Sequence, residues 1–298
     1  MTSNVPLMWV DGQWGGQALV PAFSHAMNYA CGVFDTARLY KTPKGPAFFR
    51  LDDHVDRLFS AMRFAGFTTR FTPTQVNAAV KQLAKKNKLA SGYVRMNAFL
   101  PQEELRVFPN LRNASLAIMA STLDYAGKDF HDGVHCQLSA VRKPRSEIVS
   151  AGIKFSANYL PAYLTLRNAR AKGFDEAILL DSLGFVAEAT AQNLFLVKGG
   201  VLITPSTRSE ILPGLTRDTI LVLARHLGFK VKEADVSTRQ LLAADEVFLT
   251  GTATEIMPVT KIGTKRFAVG PVTSTLKIAF DDSVSGRHGF FKTWLTYL

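Results

Sequence analysis

Two ionisable residues stand where chemistry could be done. Lys154 lies in the extended run Ile153-Lys154-Phe155, just before a helix-like stretch, and Glu188 ends a short strand-like run after a turn. An amine can form a Schiff base with a carbonyl compound or carry a proton; a carboxylate can carry a proton or accept hydrogen bonds. Lysine is usually a solvated surface residue, so composition alone assigns Lys154 no such role. A third feature is Pro213-Gly214-Leu215-Thr216, at the start of a helical pattern. A helix start presents N–H groups and the positive end of the dipole, a seat for phosphate, and Thr216 adds a hydroxyl donor. Alone, this G-x-T reads as a capped helix. Gly251-Thr252 forms a second donor turn after the apolar run 246–249, and Arg57 offers a charge-assisted donor. The three together favour a phosphate site.

The elements that must position these residues follow from periodicity. Residues 92–100 (GYVRMNAFL) alternate, which puts Tyr93, Arg95, Asn97 and Phe99 on one face of a strand and Val94, Met96, Ala98 and Leu100 on the other. The mixed polar and aromatic face suits a pocket wall, although half-exposed strands also look like this. Asp11-Gly12 marks a hairpin, and residues 33–41, 47–50 and 115–121 read as further strands. A helix is expected near His54, capped by Asp52 or Asp53, with Val55, Leu58, Phe59, Met62 and Ala65 inward and Arg57 in its first turn. A second helix runs from Pro73 to about Asn87 behind Thr72 as cap. Beyond a polar stretch at 122–133 come a strand at 134–141, a helix from about 157 to 173, strands at 176–181, 185–188, 193–197 and 201–204 with a Gly199-Gly200 hairpin, and helices at 216–227 and 271–285.

With 298 residues, 47% of them hydrophobic, the chain can bury a large core and is expected to form two lobes. Its net charge of +11 and pI of 9.7 come from scattered basic residues, not a basic tail, so nucleic acid is not an expected partner. Cys31 and Cys136 form no C-x-x-C pair, which argues against a zinc site or a disulfide framework; no metal is expected. The N-terminus lacks a signal-peptide pattern and no apolar run reaches membrane-span length, so the expectation is a cytoplasmic protein with no membrane partner.

Residues 153–195 resemble the lysine-to-glutamate segment of the class IV aminotransferases, the pyridoxal-phosphate (PLP) enzymes of fold type IV. In that family a lysine followed by N-Y-L carries the cofactor as a Schiff base, and a later E-x-x-x-x-N-[LV]-F supplies the carboxylate facing the pyridine nitrogen. This chain has Lys154, Asn158-Tyr159-Leu160, Glu188 and Asn193-Leu194-Phe195. Further matches are RLDDHVDRL at 50–58, LPGLTRDTI at 212–220 and TGTATEIMPV at 250–259. Their order and spacing are similar to the branched-chain group, and the resemblance covers essentially the whole chain.

The resemblance implies an α/β (α+β) fold of two lobes: a small N-terminal domain at 1–121, a connection at 122–133 that helps cover the active site, and a larger PLP-binding domain at 134–298 with a pseudo-barrel of strands. It implies PLP as cofactor, with Lys154 catalytic and Arg57, Tyr159, Glu188, Leu215, Thr216 and Thr252 around the cofactor. Tyr29, Phe34, Arg38, Tyr93, Arg95, Thr252 and Ala253 would contact substrate. The implied reaction transfers the amino group of leucine, isoleucine or valine to 2-oxoglutarate, by ping-pong kinetics, in at least a homodimer. The chain departs from the group's Y-x-x-x-x-F-E-G-x-R pattern: after Tyr29 and Phe34 it has Asp35, and Thr36 replaces a glycine that lines the substrate pocket. Ala189 and Gln192 likewise replace a glycine and a glutamate. These changes bear on substrate choice and keep open a D-amino-acid or (R)-amine aminotransferase, or an aminodeoxychorismate lyase, of the same fold. A basic binding protein without catalysis is the remaining alternative, and intact Lys154 and Glu188 argue against it.

Overall fold

A computed structural model describes residues 7–16, 19–102, 105–109, 112–121, 132–147, 150–287 and 291–298. The chain forms two compact units. The first takes the described residues up to 121 together with Ile153–Ala157 and Ser283–Leu298; the second takes those from 132 to 152 and from 158 to 282. Most of the stretch 122–133, expected to connect the lobes, lies outside the described residues.

In the first unit, β1 (Met8–Val10) and β2 (Gln13–Gly15) flank the expected hairpin, where Asp11 and Gly12 both have positive φ as a two-residue mirror-image turn requires. Then come α1 (His25–Tyr29), β3 (Gly32–Tyr40), β4 (Ala47–Phe49), α2 (Leu51–Phe64), α3 (Pro73–Lys86), β5 (Gly92–Phe99) and β6 (Ser115–Ser121). The strands make a seven-stranded sheet in the order Leu295–Tyr297, β4, β3, β5, β6, β1, β2, with every pairing antiparallel. α2 and α3 bury Leu58, Met62, Val80 and Leu83 with Leu39, Met96 and Ile118 of the sheet. Thr72 caps α3 as the sequence implies, and the structure adds that Gln75 reaches back to complete a reciprocal capping box around Pro73. α2 differs. It starts at Leu51 behind Arg50, which has a left-handed φ of 53°, and Asp52 and Asp53 fall inside its first turn, where they face the positive dipole end instead of capping it. The earlier start carries Arg57 out of the first turn.

The second unit contains β7 (Val134–Arg142), α4 (Tyr159–Arg170), β8 (Glu176–Leu180), β9 (Val186–Ala189), β10 (Asn193–Lys198), β11 (Val201–Pro205), α5 (Leu215–His226), β12 (Lys230–Ala234), α6 (Thr238–Leu242), β13 (Glu246–Gly251), β14 (Glu255–Ile262), β15 (Lys265–Arg266) and most of α7 (Pro271–Val284). Strands β10, β13, β14, β7, β8 and β9 follow one another, and β9 pairs back to β10, so six strands close a ring. That ring is the pseudo-barrel expected above. Its apolar filling includes Ile178, Val186, Leu194, Leu196, Val247, Leu249 and Val259. Phe195 and Phe248, opposite each other on β10 and β13, stack at 5.0 Å. β12 and α6 had no reading in the sequence; β12 is mostly exposed and carries little alternation. Among the described residues, no helix is long and apolar enough to cross a membrane.

Candidate active site

One set of functional side chains is built on the sheet of the first unit. The register of β3 with β5 sets Phe34 opposite Asn97, Thr36 opposite Arg95 and Arg38 opposite Tyr93. These residues share a face, because alternate residues of a strand point the same way. Arg95 stacks its guanidinium over the Phe34 ring at 4.6 Å, and Arg38 lies 5.1 Å from the Tyr93 ring and 5.0 Å from Tyr40. Lys154 joins this face from the edge. Its carbonyl accepts from the Phe34 N–H at 3.2 Å and Phe155 bridges Val33, so Ile153–Ala157 lies as a short extra edge beside the start of β3. The Lys154 ammonium thereby stands 4.9 Å from the centre of the Phe34 ring.

The other face of β3 holds a polar cluster inside the core. Asp35 is fully buried. Its carboxylate accepts from His54 Nδ1 at 2.7 Å, from Arg57 Nε at 2.7 Å, from Arg57 Nη2 at 2.9 Å and from the Thr36 N–H at 2.7 Å. Burial would raise the pKa of this carboxyl, but the charge of Arg57 and the hydrogen bonds from Arg57 and His54 outweigh it and hold Asp35 well below the usual carboxylate range. Burial pushes the His54 pKa down, aided by the nearby charges of Arg57 and Lys154 and only partly offset by Asp35. His54 is therefore neutral at physiological pH and donates its Nδ1–H to Asp35.

A second set belongs to the barrel. Asn193 and Glu188 are the register pair that closes β10 on β9, and their side chains do much of the joining. Glu188 Oε2 accepts from Asn193 Nδ2 at 3.0 Å and from the Leu212 N–H at 3.1 Å, while Asn193 Nδ2 also reaches the Leu212 carbonyl at 2.8 Å. Lys143, just past β7, forms a salt bridge to Glu188 Oε1. Two residues after Leu212, Gly214 caps α5. Asn193 Oδ1 occupies the place where a Cβ on residue 214 would stand, so only glycine fits there. Having no side chain, Gly214 cannot cover the first-turn N–H groups of α5, and Thr216 is buried in that same turn. Thr252 and Ala253 lie in the turn that joins β13 to β14, beside Gly251.

Of the sequence-derived residues, Phe34, Arg38, Tyr93, Arg95 and Lys154 thus meet on one sheet face of the first unit. Arg57 belongs to the opposite face of that sheet. Tyr29 sits in α1, where its hydroxyl donates to the Leu105 carbonyl at 2.7 Å. In the second unit, Glu188 and the start of α5 with Leu215 and Thr216 are linked through Asn193 and Leu212. Tyr159 opens α4. Sequence reasoning assigned no role to Asp35, His54, Lys143 or Asn193. The His-x-x-Arg spacing of His54 and Arg57 was a usable signal, because residues three apart share a helix face; nothing local pointed Lys143 at Glu188.

A seven-strand sheet with a lysine on its face and a six-strand ring sealed by a carboxylate define an α/β protein of two units. The profile described as "Amino-transferase class IV" matches residues 32–262. The chain belongs to the class IV aminotransferases, whose fold type IV architecture it shares. It is 33% identical to the branched-chain-amino-acid aminotransferase of Pseudomonas aeruginosa, over 99% of this chain and 98% of that protein, and 34% identical to that of Escherichia coli K12, over 96% and 95%. The crystal structure of the Escherichia coli enzyme superposes with a TM-score of 0.95 at 32% identity, covering 98% and 99% of the two chains. The T.th. branched-chain amino acid aminotransferase, complexed with N-(5'-phosphopyridoxyl)-L-glutamate, superposes with a TM-score of 0.93 at 33% identity, covering 98% of each chain.

Proposed function

We propose that this chain is a branched-chain-amino-acid aminotransferase: with PLP, it moves the amino group of L-leucine, L-isoleucine or L-valine to 2-oxoglutarate, giving the branched 2-oxo acid and L-glutamate. The observation that carries the reading is full-length similarity to enzymes of that name together with an intact Lys154 and Glu188. The residues present fit the cofactor. Glu188 is buried at the barrel seam as an acceptor suited to a ring N–H, and the start of the twelve-residue helix α5, which Gly214 leaves without a side-chain cap, suits a phosphate.

In this reading Lys154 holds the cofactor covalently, and Glu188 keeps its ring nitrogen protonated. Arg57, Leu215, Thr216 and Thr252 take the phosphate, and Tyr159 donates to the phenolic oxygen. When bound, the cofactor supplies an electron sink for the bond broken at the substrate's alpha carbon. With the cofactor bound, the Lys154 amine would be the group placed to carry the proton of that carbon. Phe34, Tyr93 and the other residues of their sheet face, with Tyr29, receive the substrate side chain; Arg38 and Arg95 are the cations available there for a distal carboxylate, and the Thr252-Ala253 turn offers N–H donors to the alpha-carboxylate. The amino group stays on the enzyme between half-reactions, so the kinetics are ping-pong.

A homodimer in the cytoplasm completes the reading. Exposed Phe23, Met27, Leu105, Val107 and Phe108 support the first part, and two cysteines without a disulfide support the second. The test is a panel of L-amino acids, D-amino acids and (R)-amines with 2-oxoglutarate as acceptor. Glutamate formed from L-leucine, L-isoleucine and L-valine is the expected result; turnover of D-amino acids or (R)-amines alone would overturn it.

A further inference from the structure

Resting on the reading of Arg57 as a phosphate ligand, the inference concerns two residues behind it that touch neither substrate nor cofactor in that reading. Asp35 engages Arg57 through Nε and Nη2 together, a side-on fork with contacts of 2.7 and 2.9 Å. A guanidinium is planar and its five N–H bonds are fixed in that plane, so gripping one edge fixes the direction of the rest. Nη1 and the outer Nη2 hydrogen must then point away from β3. His54, one helical turn before Arg57 on α2, grips the same carboxylate through Nδ1 at 2.7 Å, and the Thr36 N–H completes its shell at 2.7 Å. Asp35 cannot swing away from Arg57 without leaving two buried donors unmet.

A simple structural account would need only neutralisation of a buried arginine. The geometry is more demanding, because four hydrogen bonds converge on one carboxylate that is entirely out of solvent, and Arg57 retains 15% exposure of its side chain. The clamp therefore grips the inner edge of a cation whose outer part is still reachable.

We propose that Asp35 and His54 are positioning residues for phosphate binding: the His54–Asp35 pair orients the Arg57 guanidinium so that its outer edge meets the cofactor's phosphate. Within cofactor binding the pair acts on the phosphate alone, and that separates its positioning role from its contribution to folding. Pyridoxal, which lacks the phosphate, should bind the wild-type chain and its Asp35 variants alike, whereas PLP should not.

The experiment loads the full-length chain with PLP or with pyridoxal and reads retention by visible absorbance after equilibrium dialysis; the quantity of interest is the PLP-to-pyridoxal affinity ratio. Arg57→Ala should lower that ratio about ten- to a hundredfold, as expected for loss of a charged hydrogen bond to an anion. Asp35→Asn should lower it by a similar factor, and the Asp35→Asn, Arg57→Ala double variant should lower it no further. Asp35→Glu and His54→Asn, which keep the carboxylate and the Nδ1-like donor respectively, should restore most of it, whereas His54→Ala should not. Should Asp35→Asn fail to fold, the His54→Ala and His54→Asn pair carries the same comparison. Equal losses for PLP and pyridoxal, or an unchanged ratio in the Asp35 and His54 variants beside a lowered one in Arg57→Ala, would overturn the proposal. An unchanged ratio in Arg57→Ala itself would overturn the phosphate reading of Arg57 and the proposal with it.

Discussion

Each unit of this chain buries a carboxylate against a cation, and the two are held differently. Asp35 has no exposure; it is gripped by the fork of Arg57, by His54 and by a backbone N–H. Glu188 keeps some exposure, and its cation Lys143, 16% exposed at the side chain, meets Oε1. The remaining partners of Glu188 that define its position are the neutral Asn193 and Leu212 N–H donors on Oε2. A lysine is a flexible point charge that can move to water, whereas a forked arginine inside a core cannot. The first arrangement fixes a charge in place; the second holds a carboxylate by one oxygen and presents the other to an exchangeable cation.

The sharpest break of this comparison is at neither carboxylate. Lys154→Ala should abolish transamination and remove the visible absorption of the bound cofactor, because no other amine stands over Phe34 on that sheet face among the described residues; normal turnover would sink the assignment. Next in size is neutralisation of each carboxylate in turn. Asp35→Asn should destabilise the fold by about 3–5 kcal/mol, the range for a buried ion pair that loses one partner. Glu188→Gln should cost about 1–2 kcal/mol, since Lys143 can reach solvent and only neutral hydrogen bonds are weakened. Denaturant titration of the two variants checks both numbers, and equal losses would erase the distinction drawn here.

A smaller effect is expected on the exposed face of the same sheet. Arg95→Ala should raise the Michaelis constant for glutamate or 2-oxoglutarate roughly tenfold, about 1.4 kcal/mol, and leave that for leucine nearly unchanged. Equal losses for both substrates would move the distal-carboxylate role to Arg38.

The smallest effect is a slope. His54 has a folded-state pKa below its ordinary value of about 6.5, so the unfolded chain takes up a proton there before the native one does. Its contribution to stability is complete above about pH 6.5 and is lost as the pH falls below that, by at most about 1.4 kcal/mol per pH unit. Asp35 on β3 stays ionised throughout this range and the Arg57 guanidinium on α2 stays cationic, so of these three groups it is His54 that titrates. Stability measured from pH 7 to pH 5 should therefore fall less steeply in His54→Asn than in the parent chain; parallel curves would show that His54 is not held neutral by burial.

How much of this was legible depends on range. Thr72 caps a helix that starts at the very next residue, and the alternation of 92–100 is a property of a single strand, so both were readable and both hold. Lys154 and Glu188 were readable because motifs flank them. Asp52 and Asp53 misled, because an acid in the first turn and an acid at the cap satisfy the same N–H groups and differ by a single position of the helix start. The Asp35 clamp joins residues nineteen and twenty-two apart, and Lys143 meets Glu188 across forty-five. Neither spacing has a period, and only the fold brings the partners together.

The seam at Glu188 has one more implication, for motion. Elsewhere around the ring β10 is laced to β13 by five register pairs, but to β9 by the single pair Asn193 and Glu188, beside which the Ala189 N–H donates to the Gln192 carbonyl at 2.8 Å. Backbone amides protected by a full ladder exchange with solvent only when a large piece of structure opens, while those beside a single stitch need only a local breath. Whatever occupies the Glu188 carboxylate clamps that stitch and slows the breathing of the barrel wall by mass action. Hydrogen exchange of the amides around residues 186–193 is therefore expected to slow when the seam is filled and to quicken when it is bare.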